Sequence, residues 1–390
     1  MKKLFNLLIV VVFVIAAAAI NAPAQNTTNP QFASANSNIV TTKITTSSPA
    51  TQALVNSLSS LPEADTLIYI NPQRILNDLL PKLLPAKDIE EMRQAFADVK
   101  KNAGIDPTKV EYIVIAVRFQ KPTDDLNFQS PEFMVVSSGD FSADGLLMLA
   151  HMAAQGKLRD EKIGNRTLGL MTIDPLVKEA EKNPFLKGFT EVGIVSLSGN
   201  TIAAGTPGYL RSAIDAADGK DRITTEALNS LVRDPNALIS FAGMPWHSFA
   251  KSFGMLGTET HPRAARCESK IGDMYAALTM DDTNFMIRGT SNADNPDTAK
   301  ILANLYSSLL KLATGQIPDA GAQALLKGLA ITAEGDEVRV SCDIPQQMVK
   351  ALIEEHTKPK QMTDIKVTPP TPPSAATKPA VKRRRTRRRH

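Results

Sequence analysis

Two cysteines, five histidines and one tryptophan in 390 residues set the first limits. So few cysteines exclude a disulfide-framework miniprotein and a cysteine-rich zinc domain. The scattered histidines leave little for a histidine-based metal cage. His247 and His261, with Cys267, are the closest set of possible zinc ligands, and they spread over a long stretch of chain. Several signatures are missing outright. There is no G-x-S-x-G, so no hydrolase elbow, and no G-x-x-x-x-G-K-[ST] loop to cradle a phosphate. No H-E-x-x-H occurs. Beyond the N-terminus no apolar run approaches the roughly 18 residues that a membrane helix needs. No cofactor is implied.

Enough apolar material is present for a sizeable core: 43% of residues are hydrophobic and 22% charged. A length of 390 residues predicts two or three domains, at about 150 residues each. Lys2 and Lys3 precede an apolar segment from Leu4 to Ile20, and Asn21-Ala22-Pro23-Ala24-Gln25 follows. That order reads as a bacterial secretory signal peptide over 1–24, cut after Ala24. It predicts a periplasmic or extracellular protein with no transmembrane segment after cleavage.

Charge is segregated along the chain. The totals are 44 basic and 40 acidic residues, net +4. Seven of the cations are Lys382, Arg383, Arg384, Arg385, Arg387, Arg388 and Arg389. With those seven and the two signal lysines set aside, 35 basic residues face 40 acidic ones, so the body is net −5. A block of like charge repels itself, and the Pro-rich stretch 367–381 ahead of it reads as a semi-rigid spacer. The tail therefore suits an anionic envelope surface or another polyanion, where each cation contributes roughly 1 kcal/mol. It holds no aromatic residue, so base stacking is not on offer. The polar stretch 25–52 reads as a disordered leader and 358–390 as a disordered end.

The body from 53 to 357 reads as α+β, with one element order used twice. A first unit, 53–222, places a strand at Thr66–Asn71, a helix opened by Pro72 and ended by Pro81 and Pro85, and a second helix stopping at Gly104. Strands follow at Val110–Phe119 and Phe133–Ser137, then a helix capped by Ser142. A strand at Thr167–Ile173, a hairpin around Ser198-Gly199-Asn200 and a helix opened by Pro207 complete the unit. A second unit, 223–357, begins at strand Ala237–Ala242, and its Met244-Pro245 echoes Asn71-Pro72. A hairpin around Asp281-Asp282, a helix capped by Asn295, a hairpin around Gly335-Asp336 and a helix opened by Pro345 follow. Antiparallel sheets with helices on one face are expected, lying side by side or fused across a pseudo-twofold.

The opening Leu61, Pro62, Ala64, Asp65 and Thr66, followed by a strand, resembles secreted bacterial families of unknown function. The resemblance implies a tandem ferredoxin-like build over 61–357 and an envelope or secreted location. It brings no catalytic residues.

Candidate chemistry is sparse. Ser248-Phe249-Ala250-Lys251 fits S-x-x-K, whose helical spacing sets a lysine one turn from a nucleophilic serine. Ser308 and Lys311 repeat the spacing. No Lys-Thr-Gly accompanies either, and Ser198-Gly199-Asn200 precedes Ser248 instead of following it. Trp246, Phe249 and Phe253 form the richest aromatic cluster and suit either a core or a ligand groove. Asp294 and Asp297 around Pro296 read as favourable charge at a helix N-terminus. Cys267 and Cys342 are a disulfide candidate; a bridge closing about 75 residues contributes on the order of 4 kcal/mol. These features favour a non-catalytic secreted or periplasmic protein that binds a protein or glycan of the envelope. The alternative is an envelope hydrolase built on Ser248 and Lys251.

Overall fold

The computed structural model describes residues 49–104, 106–119, 131–172, 190–243, 271–316 and 320–357. Twelve strands form a single antiparallel sheet in the order β11-β12-β10-β9-β8-β1-β2-β3-β7-β6-β5-β4. The strands are β1 Thr66–Ile70, β2 Val110–Arg118, β3 Glu132–Gly139, β4 Arg159–Ile163, β5 Arg166–Thr172 and β6 Glu191–Ser198. The remainder are β7 Thr201–Gly205, β8 Ile239–Gly243, β9 Ile271–Met280, β10 Asn284–Ala293, β11 Ala330–Glu334 and β12 Glu337–Pro345. The chain is thus α+β with an antiparallel sheet, as its patterning predicts, and of the two arrangements left open, side by side or fused, the sheet is fused.

The junction is the pairing of β1 with β8, from Thr66 opposite Gly243 to Ile70 opposite Ile239. On either side of it the strands run in matching order: β1-β2-β3-β7-β6 one way and β8-β9-β10-β12-β11 the other. The β4–β5 hairpin extends the first arm. This order is not ferredoxin-like. A split β-α-β unit sets another strand between the two that its helix joins, whereas β1 and β2 are direct antiparallel neighbours.

Helices cover both faces, not one. The sequence of β1, Thr-Leu-Ile-Tyr-Ile, lacks the alternation of a one-sided strand, and runs of that kind are buried on both sides. Leu67 and Tyr69 enter the larger core, together with Val114, Met134, Val195 and Leu210. Helices α1 (Pro49–Leu58), α5 (Pro207–Ala217) and α6 (Thr225–Leu231) close that face. Ile68 and Ile70 point the other way, against Ile75, Leu79, Leu83 and Phe285. There α2 (Pro72–Leu83) lies over the second arm, and α9 (Gln346–Thr357) brings Val349 and Ile353 to the same cluster. Helix α7 (Pro296–Gln316) seats Ala299, Leu302 and Ala303 against Val338, Ile331 and Ala333. Helices α3 (Ala86–Ala103), α4 (Ala143–Ala153) and α8 (Ala320–Lys327) complete the described set.

Pro81 does not end α2. The helix runs as Pro72–Arg74, then a π-helical segment Ile75–Leu79, then Leu80–Leu83. A proline ring inside an α-helix presses on the carbonyl four residues back. The wider turn, in which the Leu80 N–H reaches the Ile75 carbonyl, relieves that contact and lets the helix continue to Leu83. Helix α1 begins at Pro49, ahead of the start at 53 read from composition.

Gly243 makes the junction possible. It sits at φ +130°, and a Cβ there would lie 2.2 Å from the Asp65 carbonyl oxygen, so only glycine lets β8 come this close to β1. Ser240 anchors the same strand: its buried hydroxyl donates to the Leu231 carbonyl at 2.6 Å. Leu67 is 2% exposed at the centre of the sheet. Leu67→Ala should cost about 2–5 kcal/mol in urea unfolding, in one transition that carries both arms. Loss of the first arm alone, with the second melting unchanged, would contradict a shared core.

Candidate functional site

The structure places only some of the residues singled out from sequence. Trp246, Ser248, Phe249, Lys251, Phe253, Cys267 and the tail residues 382–389 lie outside the described residues. Cys342 is on β12 as expected, 4% exposed, and burial pushes its thiol up, with Asp343 adding and Arg288 opposing. The exposed Ser308 hydroxyl donates to the Asn304 carbonyl at 2.8 Å, within its own helix α7. Asn295 caps α7 through the Thr298 N–H at 2.9 Å, and Asp297 faces Lys300 at 3.6 Å. The cap reading of Asp294 and Asp297 therefore needs no ion. No group of three or more metal-ligating side chains occurs among the described residues.

The opening segment has a structural role that its sequence did not disclose. Leu61 is buried, and its carbonyl accepts from the Ile223 N–H at 2.9 Å. The Glu63 carbonyl accepts from the Tyr209 hydroxyl at 2.8 Å. An Asp65 carboxylate oxygen accepts from the Phe119 N–H at 2.7 Å. Three short contacts thus fasten one hexapeptide to α5, to the approach to α6 and to the end of β2. Arg118 completes the cluster. Its guanidinium lies 4.6 Å from the centre of the Tyr209 ring and donates to Glu132 at 2.9 and 2.6 Å. These contacts serve the fold, so the cluster is a clamp.

The described residues also line an open-sided hollow of about 340 Å³ where α1 meets the ends of β1 and β2 and the loop between α6 and β8. Leu54 and Val232 supply apolar wall, and Tyr69 and Tyr112 supply aromatic wall. Glu111 and Asp234 bring carboxylates. A β-bulge explains how neighbouring residues of one strand both reach it. The register of β2 on β3 shifts between Val110 and Tyr112, leaving Glu111 unpaired and re-aiming it. The Asp234 carboxylate accepts from the Asn236 N–H at 2.9 Å, which fixes the loop.

The two phenols differ. Burial raises the pKa of Tyr112, and hydrogen bonds with Ser57, Ser138 and Thr201 temper the rise. Tyr69 is 7% exposed and pushed up to about 12, by burial first and by Tyr112 second. Both stay protonated at neutral pH. Sequence offered no signal for this site, because its walls come from four separate stretches of chain.

No protein-family model and no curated protein matches the chain. Among solved structures it is similar to three crystal forms of TP0453. Form III is 12% identical, covers 76% of this chain and 97% of that one, and has a TM-score of 0.42. Form I is 12% identical over 76% and 96%, at 0.40. Form IV is 10% identical over 78% and 99%, at 0.41. Overlap of this degree assigns neither a family nor a function.

The buried tyrosines make the protein sensitive to alkali. An unfolded chain ionises Tyr69 near its ordinary value of 10.0, and the folded chain holds the proton to about 12. Stability is whole below the lower value and falls as pH rises between the two. The slope is about 1.4 kcal/mol per pH unit for each such tyrosine. Urea unfolding from pH 9 to 12 should show Tyr69→Phe falling less steeply than wild type by one such slope. Parallel curves would contradict this assignment.

Proposed function

We propose that the chain is a secreted, envelope-associated binding protein with no catalytic role. In this reading residues 1–24 direct export and are removed, and the mature protein works in the periplasm or outside the cell. The body carries the binding function, with a protein or glycan of the envelope as its partner. The seven cations of 382–389 hold it near an anionic surface. The observation that carries the proposal is the charge segregation: a body of net −5 attached to a tail of seven cations. In support, no helix among the described residues is long and apolar enough to cross a membrane. Attachment then falls to another part of the chain.

We further propose that the two arms are tandem copies of one unit, 53–222 and 223–357, with the β4–β5 hairpin added to the first. The matching strand orders support this. So does the sequence after the two central strands: Asn71-Pro72 follows β1 directly, and Met244-Pro245 follows β8 directly.

Retention on isolated envelope membranes across a salt series tests the anchor. The full-length mature protein should bind at low salt and release near ~0.5 M, where screening shortens the reach of charge to a few ångströms. A chain ending at Pro359 should not bind. Equal retention of the two proteins would defeat the electrostatic anchor.

A further inference from the structure

Helix α4 carries an inference that goes beyond the tail and is independent of it. Its sequence, Ala-Asp-Gly-Leu-Leu-Met-Leu-Ala-His-Met-Ala, is largely apolar, yet only Ala143 of it is buried. The helix lies on β6 and turns Met148 and Met152 outward, at 65% and 61% exposure. Val99 and Ile301 are the other large apolar side chains left exposed among the described residues. The two methionines bracket His151. Met148, His151 and Met152 stand at i, i+3 and i+4, which sets all three on one face within a turn of one another. Side chains on a helix lean towards its N-terminus, so His151 and Met152 both lean towards Met148.

The histidine is held in place. Ser142 caps α4 through the Gly145 N–H at 3.1 Å. The chain leaves the helix by a tight turn, with Gln155 at φ +50° and Gly156 at φ +82°. That turn returns β4 alongside, where an Asp160 carboxylate oxygen lies 3.2 Å from His151 Nε2. A neutral imidazole that gives its Nε2 proton to a carboxylate keeps a lone pair on Nδ1. Ligating histidines are braced in this way: the carboxylate fixes the ring and raises its basicity.

The donor set selects the ion. Among histidine, cysteine, aspartate and glutamate no group of three gathers in the described residues, so the methionine sulfurs are what distinguish this face. Thioethers are soft, polarisable ligands that select Cu(I), whereas Mg²⁺ and Ca²⁺ take oxygen. We infer that Met148, His151 and Met152 form a surface site for a soft monovalent metal ion of the Cu(I) class. Both thioethers and His151 Nδ1 bind the ion, and Asp160 is the positioning residue.

Titration with silver nitrate in chloride-free buffer tests this, with Ag(I) as the redox-inert member of the class. The protein is the full-length mature chain carrying Cys267→Ser, so that this thiol does not compete. Magnetic resonance of isotope-labelled methionine methyls and of the His151 ring reads the site. The Met148 and Met152 methyls and the His151 ring should shift together and saturate, and Zn(II) should move neither methyl. Met148→Leu combined with Met152→Leu keeps the apolar face and removes both sulfurs. It should weaken silver binding, read at the His151 ring, by about tenfold or more. Asp160→Ala should weaken binding, read at the Met148 methyl, by about tenfold. The same change should release the His151 ring from its Nε2–H tautomer, seen in the ring nitrogen shifts. Circular dichroism establishes that each variant is folded, and the contrast between silver and zinc stands without any variant at the site. The chain ending at Pro359 should bind silver as full length does, so failure of the membrane anchor leaves this result untouched. Methionine methyls unmoved up to about 100 µM silver, an equal response to Zn(II), or unchanged affinity in the folded double-leucine variant would each overturn the inference.

Discussion

The structure depends on one strand pair. β1 and β8 are five residues long, yet they join what would otherwise be two sheets with exposed central edges. An open edge of unpaired N–H and C=O groups is a liability in water. Pairing the two edges removes both at once and leaves β4 and β11 as the outer strands. Each outer strand is guarded by charge. Arg211 clasps Glu161 of β4 through two hydrogen bonds of 2.8 and 2.7 Å, and Arg159 reaches Glu191 at 3.1 Å. On the far edge Arg339 binds Glu334 and Glu337. Close approach at the junction requires Gly243, and burial on both faces requires the unbroken apolar run of β1.

From that junction the rest of the packing follows. The larger core fills one face of the first arm and spills across to Ala242 on β8. The second core lies on the opposite face, where α2, which leaves β1, covers strands of the other arm. The opening hexapeptide holds the chain at the point where it enters the sheet. Stability in one arm is therefore bound up with stability in the other. The cavity lies close to this junction, since Tyr69 belongs to β1 and Asp234 to the loop that leads into β8.

Much of the fold was legible in residue patterns. The alternating and turn-bounded runs gave eleven of the strands to within a few residues, and the caps at Ser142 and Asn295 behave as capping chemistry requires. β4 escaped because Arg159-Asp-Glu-Lys-Ile163 is almost wholly charged, as suits an edge and not a core. Continuation of α2 past Pro81 escaped because it depends on a π turn that no propensity encodes. That helices cover both faces was written in β1, where four apolar residues follow one another. The cavity was not legible. Its walls lie far apart in sequence, and Glu111 reaches it only through a bulge. The clamp at Leu61–Thr66 was visible as a pattern, but its purpose required Tyr209, Phe119 and Ile223 to be placed beside it.

Hydrogen exchange in the native protein tests the central claim most directly. If β1 and β8 knit the sheet, their amides should exchange only by global unfolding and rank with the slowest in the molecule. Those of β4 and β11 should exchange far sooner. Amides of β8 and β1 that exchange as fast as the outer strands would mean that the arms separate in solution, and the single sheet would have to be abandoned.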